Sequence, residues 1–107
     1  MKLIYVCSQC RGIPPYSPAK TNLNLWRAFR FCKDVLDAGH IPIAPHYFYR
    51  DWFNDDVPEQ RAKAIDVGLN LLSKCDELWV FGTEISEGMK TEIALAEELN
   101  IPVLHKD

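Results

Sequence analysis

The sequence predicts a small α/β domain of the Rossmann-like (flavodoxin-like) type, with a parallel sheet of about four strands, three helices and three layers. Two observations lead to this prediction. Short apolar runs with β-branched or aromatic residues alternate along the chain with longer amphipathic stretches. Turn or breaker residues, such as Gly39 and Pro102, follow the amphipathic stretches. Such alternation indicates a parallel sheet, because a parallel strand can be reached only through a long connection.

The predicted order of elements is βαβαβαβ. Strands are predicted over residues 3–7, 41–44, 78–81 and 102–104, and helices over 22–38, 59–74 and 88–99. Right-handed crossovers between parallel strands place helices on both faces of such a sheet. The carboxyl ends of all the strands then meet at one edge, where ligands bind in a crevice.

Length and composition limit the class of protein. The chain has 107 residues, which predicts one domain over residues 1–107. A hydrophobic fraction of 48% and a charged fraction of 25% are typical of globular proteins and exclude collagen, coiled coil and disorder. The net charge of -3, with acids and bases interspersed, argues against a nucleic-acid polymer as partner. No apolar run reaches the ~20 residues of a membrane span and MKLIYV is too short for a signal peptide, so we expect a cytoplasmic protein with reduced cysteines.

Each predicted helix carries one polar residue within its apolar stripe, close to its N-terminus. These residues are Asn24, Arg61 and Glu92. Burial of a charge is costly unless the charge is paired or hydrated. Any one of them fits the point where a stripe emerges into solvent, but three at the same edge of the sheet predict a polar crevice. The apolar residues that the same helical wheels assign to the inward stripes include Phe29, Ile65 and Leu99.

The segment FGTEISEGMKTE starts the third predicted helix with a pattern that favours an anion. Ser86 is the predicted N-cap, and Gly88 lets a ligand approach the backbone. Free amide groups and the helix dipole favour a group such as phosphate at this position. Glu92 follows on the inward side, where a carboxylate can accept hydrogen bonds from a sugar or attack its C1. The pattern therefore predicts a sugar phosphate or a nucleotide as ligand.

Four segments of the chain, IYVCSQCRG, PIAPH, LLSKCDELWVFG and SEGMKTE, resemble the nucleoside 2-deoxyribosyltransferase-like family. This family includes N-glycosidases that hydrolyse deoxynucleoside 5′-monophosphates. The resemblance covers almost the whole chain. It implies an enzyme that cleaves or transfers at the N-glycosidic bond of a (deoxy)nucleoside 5′-monophosphate or nucleoside through a glutamate nucleophile.

The resemblance also implies roles for individual residues. Glu92 matches the nucleophile that forms a covalent deoxyribosyl intermediate, and Ser86 matches a serine that binds the 5′-phosphate. Tyr5 is expected to shape the sugar pocket close to the bond that is cleaved, and is a catalytic candidate together with Glu92. The loop after the first strand matches a loop around base, sugar and phosphate, at Ser8, Gln9, Cys10, Arg11 and Gly12, with Arg11 as the expected phosphate contact. The candidate substrate-binding set is completed by Asn24, His46, Arg61, Gly88 and Met89.

The sequence departs from the family pattern in two places. An additional aspartate of the family falls on Gly68, and only a two-residue shift offers Asp66 as a catalytic candidate. Relatives also continue into a fifth strand and a tail, which implies an abbreviated or a differently assembled homo-oligomer. Gly68 keeps open an alternative function, that of a non-catalytic protein of the same fold that binds or sequesters a nucleotide.

The motif CSQC has the spacing of a redox pair, formed by Cys7 and Cys10. A redox pair of this type needs a helix that starts at the motif, and the prolines of RGIPPYSP disfavour one. A structural zinc site needs two more ligands at short spacing, whereas Cys32 and Cys75 lie apart on predicted helices. We therefore expect no metal and no organic cofactor, since a carboxylate can supply the chemistry.

The stretch HYFYRDWFNDDVPEQR carries five aromatic residues in a connection too long for a plain turn. Its rings fit two roles, the stacking of a nucleobase and the burial of a subunit interface. Trp26 lies outside its helix stripe and also favours a subunit contact. His46 fits either a contact with the ligand or the start of a surface loop.

Overall fold

The computed structural model describes residues 1–106 and contains four strands and four helices in that range. In chain order these are β1 (Leu3–Cys7), α1 (Pro18–Asp37), β2 (Ile41–Ile43), α2 (Pro45–Phe48), α3 (Pro58–Leu72), β3 (Glu77–Phe81), α4 (Glu87–Glu98) and β4 (Val103–Lys106). The strands form one sheet in the order β2-β1-β3-β4, and every pair is parallel. The predicted α/β class with a four-stranded parallel sheet is therefore confirmed.

Strand β1 determines which side chains reach each face of the sheet. It is hydrogen-bonded to β2 on one side and to β3 on the other. Successive strand residues point to opposite faces, so Ile4 and Val6 enter one core cluster whereas Tyr5 and Cys7 enter the other. The strand order reverses next to β1, which is the position where α/β sheets form their ligand crevice.

The helices form the two outer layers. Cys32 and Val35 of α1 belong to the cluster of Ile4 and Val6. The opposite cluster contains Tyr5 and Cys7 together with three buried helical residues, Leu72 of α3 and Met89 and Ala96 of α4. Complete burial of an apolar side chain as large as valine, leucine or methionine stabilises the fold by about 1.5–3 kcal/mol. The face of β1 that carries Tyr5 is therefore the face that packs against α3 and α4.

The helix boundaries differ from the prediction in two ways. Helix α1 begins at Pro18 rather than at residue 22, because Ser17 caps it by accepting a hydrogen bond from the amide of Lys20 at 3.2 Å. Proline suits the first helical position, where no amide hydrogen bond is required. The prediction of three helices missed α2, a four-residue helix that begins at Pro45 within the aromatic stretch. A helix of about one turn is too short to show an apolar period.

The inward stripes are narrower than the helical wheels predicted. Phe29, Ile65 and Leu99 are 50%, 46% and 44% exposed, so their assignment to the core was wrong. Each outer helix packs mainly on one side, and residues at the flank of its stripe remain in solvent. Phe29 lies instead beside Tyr47, with 5.9 Å between the ring centroids. Within residues 1–106, no helix combines the length and the apolar character that a membrane crossing requires.

Candidate active site

A cavity of about 500 Å³ opens at the carboxyl edge of the sheet. Its walls come from the end of β1, the loop that follows it, α2, α3 and the first turns of α4. This volume is in the range that accommodates small-molecule ligands. The predicted site residues that line it are Tyr5, Ser8, Cys10, Arg11, Gly12, His46, Arg61, Ser86, Gly88, Met89 and Glu92.

Glu92 presents a half-buried carboxylate to this cavity. The hydroxyl of Tyr5 donates a hydrogen bond to Oε2, and the thiol of Cys7 donates to Oε1 at 3.5 Å. Burial raises the pKa of Glu92 to about 7, while the hydrogen bonds from Tyr5 and Cys7 oppose that rise. Both protonation states of the carboxyl are therefore accessible near neutral pH, as is typical of groups at active sites.

Ser8 and His46 form a second polar pair in the cavity wall. The Oγ atom of Ser8 lies 2.8 Å from Nε2 of His46. Burial lowers the pKa of His46 to about 4, so its imidazole is neutral at physiological pH. A neutral imidazole has one donor and one acceptor nitrogen, which suits a polar uncharged part of a ligand. His46 lies in α2, where it lines the cavity, rather than at the start of a surface loop.

The loop after β1 is fixed from both sides. Asn24, only 7% exposed, donates from Nδ2 to the carbonyl of Cys10 at 3.0 Å. Gln9 donates from Nε2 to the carbonyl of Glu84 at 3.1 Å. Gly12 has a φ of +80°, and a Cβ there would approach both Asn24 and Gln9 to 3.2 Å, so the tight turn requires glycine. The loop is thereby attached to α1 and to the segment before α4.

Three predicted site residues lie outside the main cavity. Asn24 and Gln9 line a neighbouring cavity of about 290 Å³, so their contribution to the main cavity is to hold its loop. Asp66 lies on an exposed face of α3 and does not line either cavity. The two-residue shift that suggested Asp66 is therefore not supported by its position, because a shift of two residues turns a helical side chain by about 200°.

Gly68, the alternative to Asp66 in the sequence analysis, lies in the cavity wall. It is buried, and an ideal Cβ at this position would lie 3.4 Å from the hydroxyl oxygen of Tyr5. That distance is an ordinary van der Waals contact. Gly68 thus leaves the wall beside Tyr5 and Glu92 without a second carboxylate from α3.

Four cationic side chains line the cavity, and three of them have a carboxylate neighbour. These three pairs are Arg50–Asp51 and Arg61–Asp55, each at 3.9 Å, and Lys90–Glu87 at 3.1 Å. The fourth is Arg11, which has no carboxylate within 4.0 Å in residues 1–106, and whose Nε is buried without a hydrogen-bond partner. A buried donor without an acceptor destabilises a structure, so Arg11 gains most from an anionic ligand.

The start of α4 borders the cavity. Ser86 is the N-cap, as predicted, and its Oγ accepts a hydrogen bond from the amide of Met89 at 3.4 Å. Ser86 and Gly88 both line the cavity. The remaining amide groups of the first turn and the positive end of the helix dipole favour an anion here.

The two cysteines of CSQC have different surroundings. Cys7 is completely buried and Cys10 is partly exposed in the cavity wall. Burial raises the pKa of Cys7 well above its ordinary value and the pKa of Cys10 to about 11. Reactive redox thiols have lowered pKa values, so this environment favours inert thiols. Among residues 1–106 no group of three or more His, Cys, Asp and Glu side chains is arranged to hold a metal ion.

The sequence analysis missed several residues of this site. The CSQC motif suggests only a redox or metal-binding role for Cys7, although this residue faces the same side of β1 as Tyr5 and contacts Glu92. The alternation of side chains along β1 could have identified it. The cavity wall also contains Tyr16, which comes from an irregular segment and has no periodic signal. Tyr49 and Phe53 line it too, and both belong to the aromatic stretch for which stacking on a nucleobase was one of two predicted roles.

The fold resembles a solved 2-deoxyribosyltransferase. This structure, from the psychrotolerant bacterium Bacillus psychrosaccharolyticus, superposes with a TM-score of 0.64 over 96% of this chain and 70% of that chain. The sequences are 17% identical, so the likeness establishes a shared fold. No curated protein sequence gives a significant match.

A family model described as "Domain of unknown function (DUF7768)" matches residues 2–106, almost the complete chain. The protein therefore belongs to the DUF7768 family.

Proposed function

We propose that this domain binds a deoxynucleoside 5′-monophosphate or nucleoside and cleaves or transfers its N-glycosidic bond, with Glu92 as the nucleophile. One observation carries the proposal: a half-buried carboxylate opens into a ligand-sized cavity while Tyr5 and Cys7 hold its two oxygens. The fold that the chain shares with a 2-deoxyribosyltransferase supports the same chemistry.

The reaction proceeds in two displacement steps. A carboxylate oxygen of Glu92 attacks C1′ of the sugar, the C1′–N bond breaks, and its electron pair leaves with the base, which takes a proton from solvent. A water molecule or a second base then attacks C1′. The bond between C1′ and the carboxylate oxygen breaks, the carboxylate is restored, and the acceptor loses its proton to solvent.

The surrounding residues bind and orient the substrate. Arg11 and the first turn of α4 receive the 5′-phosphate, and the hydroxyl of Ser86 can donate to a phosphate oxygen. The rings of Tyr49 and Phe53 provide an apolar surface for the base. This assignment requires no metal and no organic cofactor, because the carboxylate forms the covalent intermediate itself.

The proposal is tested by incubating the protein with a panel of deoxynucleoside and ribonucleoside 5′-monophosphates and nucleosides, and by measuring free base. We expect base release from at least one deoxynucleoside compound. Glu92→Ala should reduce it by about 1000-fold while ligand binding remains measurable. The matched control is Glu97→Ala, on the exposed side of α4. Unchanged base release by Glu92→Ala would exclude this carboxylate from the reaction.

A second candidate function is a nucleotide-binding or nucleotide-sequestering protein without turnover. Gly68 favours this candidate, because catalytic members of the nucleoside 2-deoxyribosyltransferase-like family have an additional aspartate at this position of the cavity wall. Binding of a nucleotide without release of base from any compound of the panel would establish this alternative and exclude the enzyme.

We further propose that the protein is a cytoplasmic homo-oligomer. Trp26 and Trp52 are 57% and 77% exposed, and large exposed aromatic rings favour a subunit contact. Light scattering coupled to size-exclusion chromatography tests the assembly, and a monomeric mass at micromolar concentration would contradict it.

A further inference from the structure

The guanidinium of Arg11 lies over an aromatic ring at the cavity. The guanidinium carbon lies 4.3 Å from the centroid of the Tyr16 ring, and both side chains line the cavity. The face of an aromatic ring attracts a cation electrostatically, and this attraction leaves the guanidinium N–H groups available for an acceptor. The contact therefore restricts the orientation of Arg11 without occupying its hydrogen-bond donors.

The backbone that carries Tyr16 is itself anchored to α1. Lys20 donates from Nζ to the carbonyl oxygens of Ile13 and Pro15, both at 2.7 Å. Ser17, the next residue after Tyr16, is the N-cap of α1. The ring of Tyr16 thus lies on a segment that is fixed to the helix by its neighbours on both sides.

Arg11 lacks the partners that the other cavity cations have. Its Nε is buried and has no hydrogen-bond acceptor, and no carboxylate of residues 1–106 lies within 4.0 Å. The donor is therefore held in one orientation but not satisfied. An anionic group with several acceptor oxygens, such as phosphate, would satisfy it with a charge-assisted hydrogen bond.

We propose that Tyr16 is a positioning residue for anion recognition, whose ring holds the guanidinium of Arg11 ready to bind a phosphate group. This positioning role does not require Glu92 to be catalytic. It rests on the proposed function only for the identity of the natural ligand. Loss of the ring should weaken phosphate binding by about two- to fivefold, the range expected for a partly exposed cation–π contact.

The experiment follows the Nε–Hε signal of Arg11 by NMR while inorganic phosphate is added. The signal is assigned by its disappearance in Arg11→Lys. In the wild type we expect an upfield position caused by the Tyr16 ring current, and a shift on addition of phosphate. Tyr16→Leu should lose the upfield position and bind phosphate two- to fivefold more weakly, and Tyr16→Phe, which keeps the ring, should restore both. Phe29→Leu removes an aromatic ring that is 50% exposed, like that of Tyr16, but lies outside both cavities, and it controls for general effects.

Two results would overturn the inference: the same phosphate affinity in Tyr16→Leu as in the wild type, or no response of the Arg11 signal to phosphate in the wild type. Base release is measured separately. A normal phosphate response without base release would count against the enzyme and leave the role of Tyr16 intact.

Discussion

Tyr5 donates a hydrogen bond to Oε2 of Glu92 across 87 residues of sequence. The alternation along β1 directs Tyr5 and Cys7 to the face that packs against α4, and Cys7 donates to the other oxygen of the same carboxylate. Two residues of one strand therefore orient a side chain of one helix at the edge of the cavity. This arrangement makes the protonation of Glu92 dependent on β1.

Replacement of Tyr5 by phenylalanine should shift the pH dependence of base release to higher pH. The hydrogen bond from Tyr5 lowers the pKa of Glu92, so its removal should raise that pKa above about 7. Because the carboxylate is the nucleophilic form, activity near neutral pH should fall by about tenfold and recover in alkaline solution. The measurement is kcat/KM against pH, and a profile equal to that of the wild type would contradict the coupling.

Two substitutions of Cys7 should move the same profile in opposite directions. Cys7→Ser supplies a stronger hydrogen-bond donor to Glu92 and should lower its pKa, whereas Cys7→Ala removes the donor and should raise it. The acid limb of kcat/KM should therefore move to lower pH in the first variant and to higher pH in the second. Abolition of activity in both variants, at every pH, would instead indicate that the thiol itself reacts.

Replacement of Glu92 by glutamine should change the pH dependence of stability. The pKa of Glu92 in the folded protein is about 7, above its ordinary value of 4.5. The folded state therefore holds this proton more tightly than the unfolded state, and the resulting stability is lost as pH rises from about 4.5 to about 7. Glutamine stays neutral throughout.

We accordingly expect Glu92→Gln to be more stable than the wild type at about pH 8, by up to a few kcal/mol, and to differ little at about pH 4. Thermal unfolding of both proteins at the two pH values measures the difference. Glu97→Gln, on the exposed side of α4, should show no such dependence. An equal difference between wild type and Glu92→Gln at both pH values would show that Glu92 has no raised pKa.

Introduction of an aspartate at Gly68 should test whether the missing wall carboxylate limits turnover. A Cβ fits there at 3.4 Å from the Tyr5 hydroxyl, so a small side chain can be added without a severe clash. We expect Gly68→Asp to increase base release by about tenfold, because general acid–base groups contribute at least that much. Gly68→Asn, which has the same shape but no charge, is the matched control. The same rate in both variants would show that a carboxylate at this position does not assist the reaction.

The elements of the fold were largely predictable from the chain. The runs around β1 and β3 are apolar and β-branched, and their burial on both faces follows from a central position in a parallel sheet. The N-cap Ser86 is a local signal, because a hydroxyl that caps its own helix depends only on nearby residues. Helix α2 was missed, since about one turn of helix shows no period.

The site was predictable only in part. The inward position of Glu92 followed from the helical period of α4, and the structure places its carboxylate in the cavity. Arg11 was expected to contact phosphate and lines the cavity, but Gln9, expected in the same substrate-binding loop, instead holds that loop to Glu84. Arg11 and Gln9 both belong to an irregular segment, where the direction of a side chain depends on backbone turns such as that at Gly12.

The sequence by itself determined the alternation of strands and helices, the edge at which the polar residues gather, and the carboxylate of Glu92 at that edge. These features depend on periods and caps that operate over a few residues. Only the tertiary structure decided that Tyr5 and Cys7 hold that carboxylate, that Gly68 rather than Asp66 lines the cavity, and that the Tyr16 ring lies against the guanidinium of Arg11. Such contacts join residues distant along the chain or set by irregular turns, and their geometry exists only when the sheet and its helices have packed.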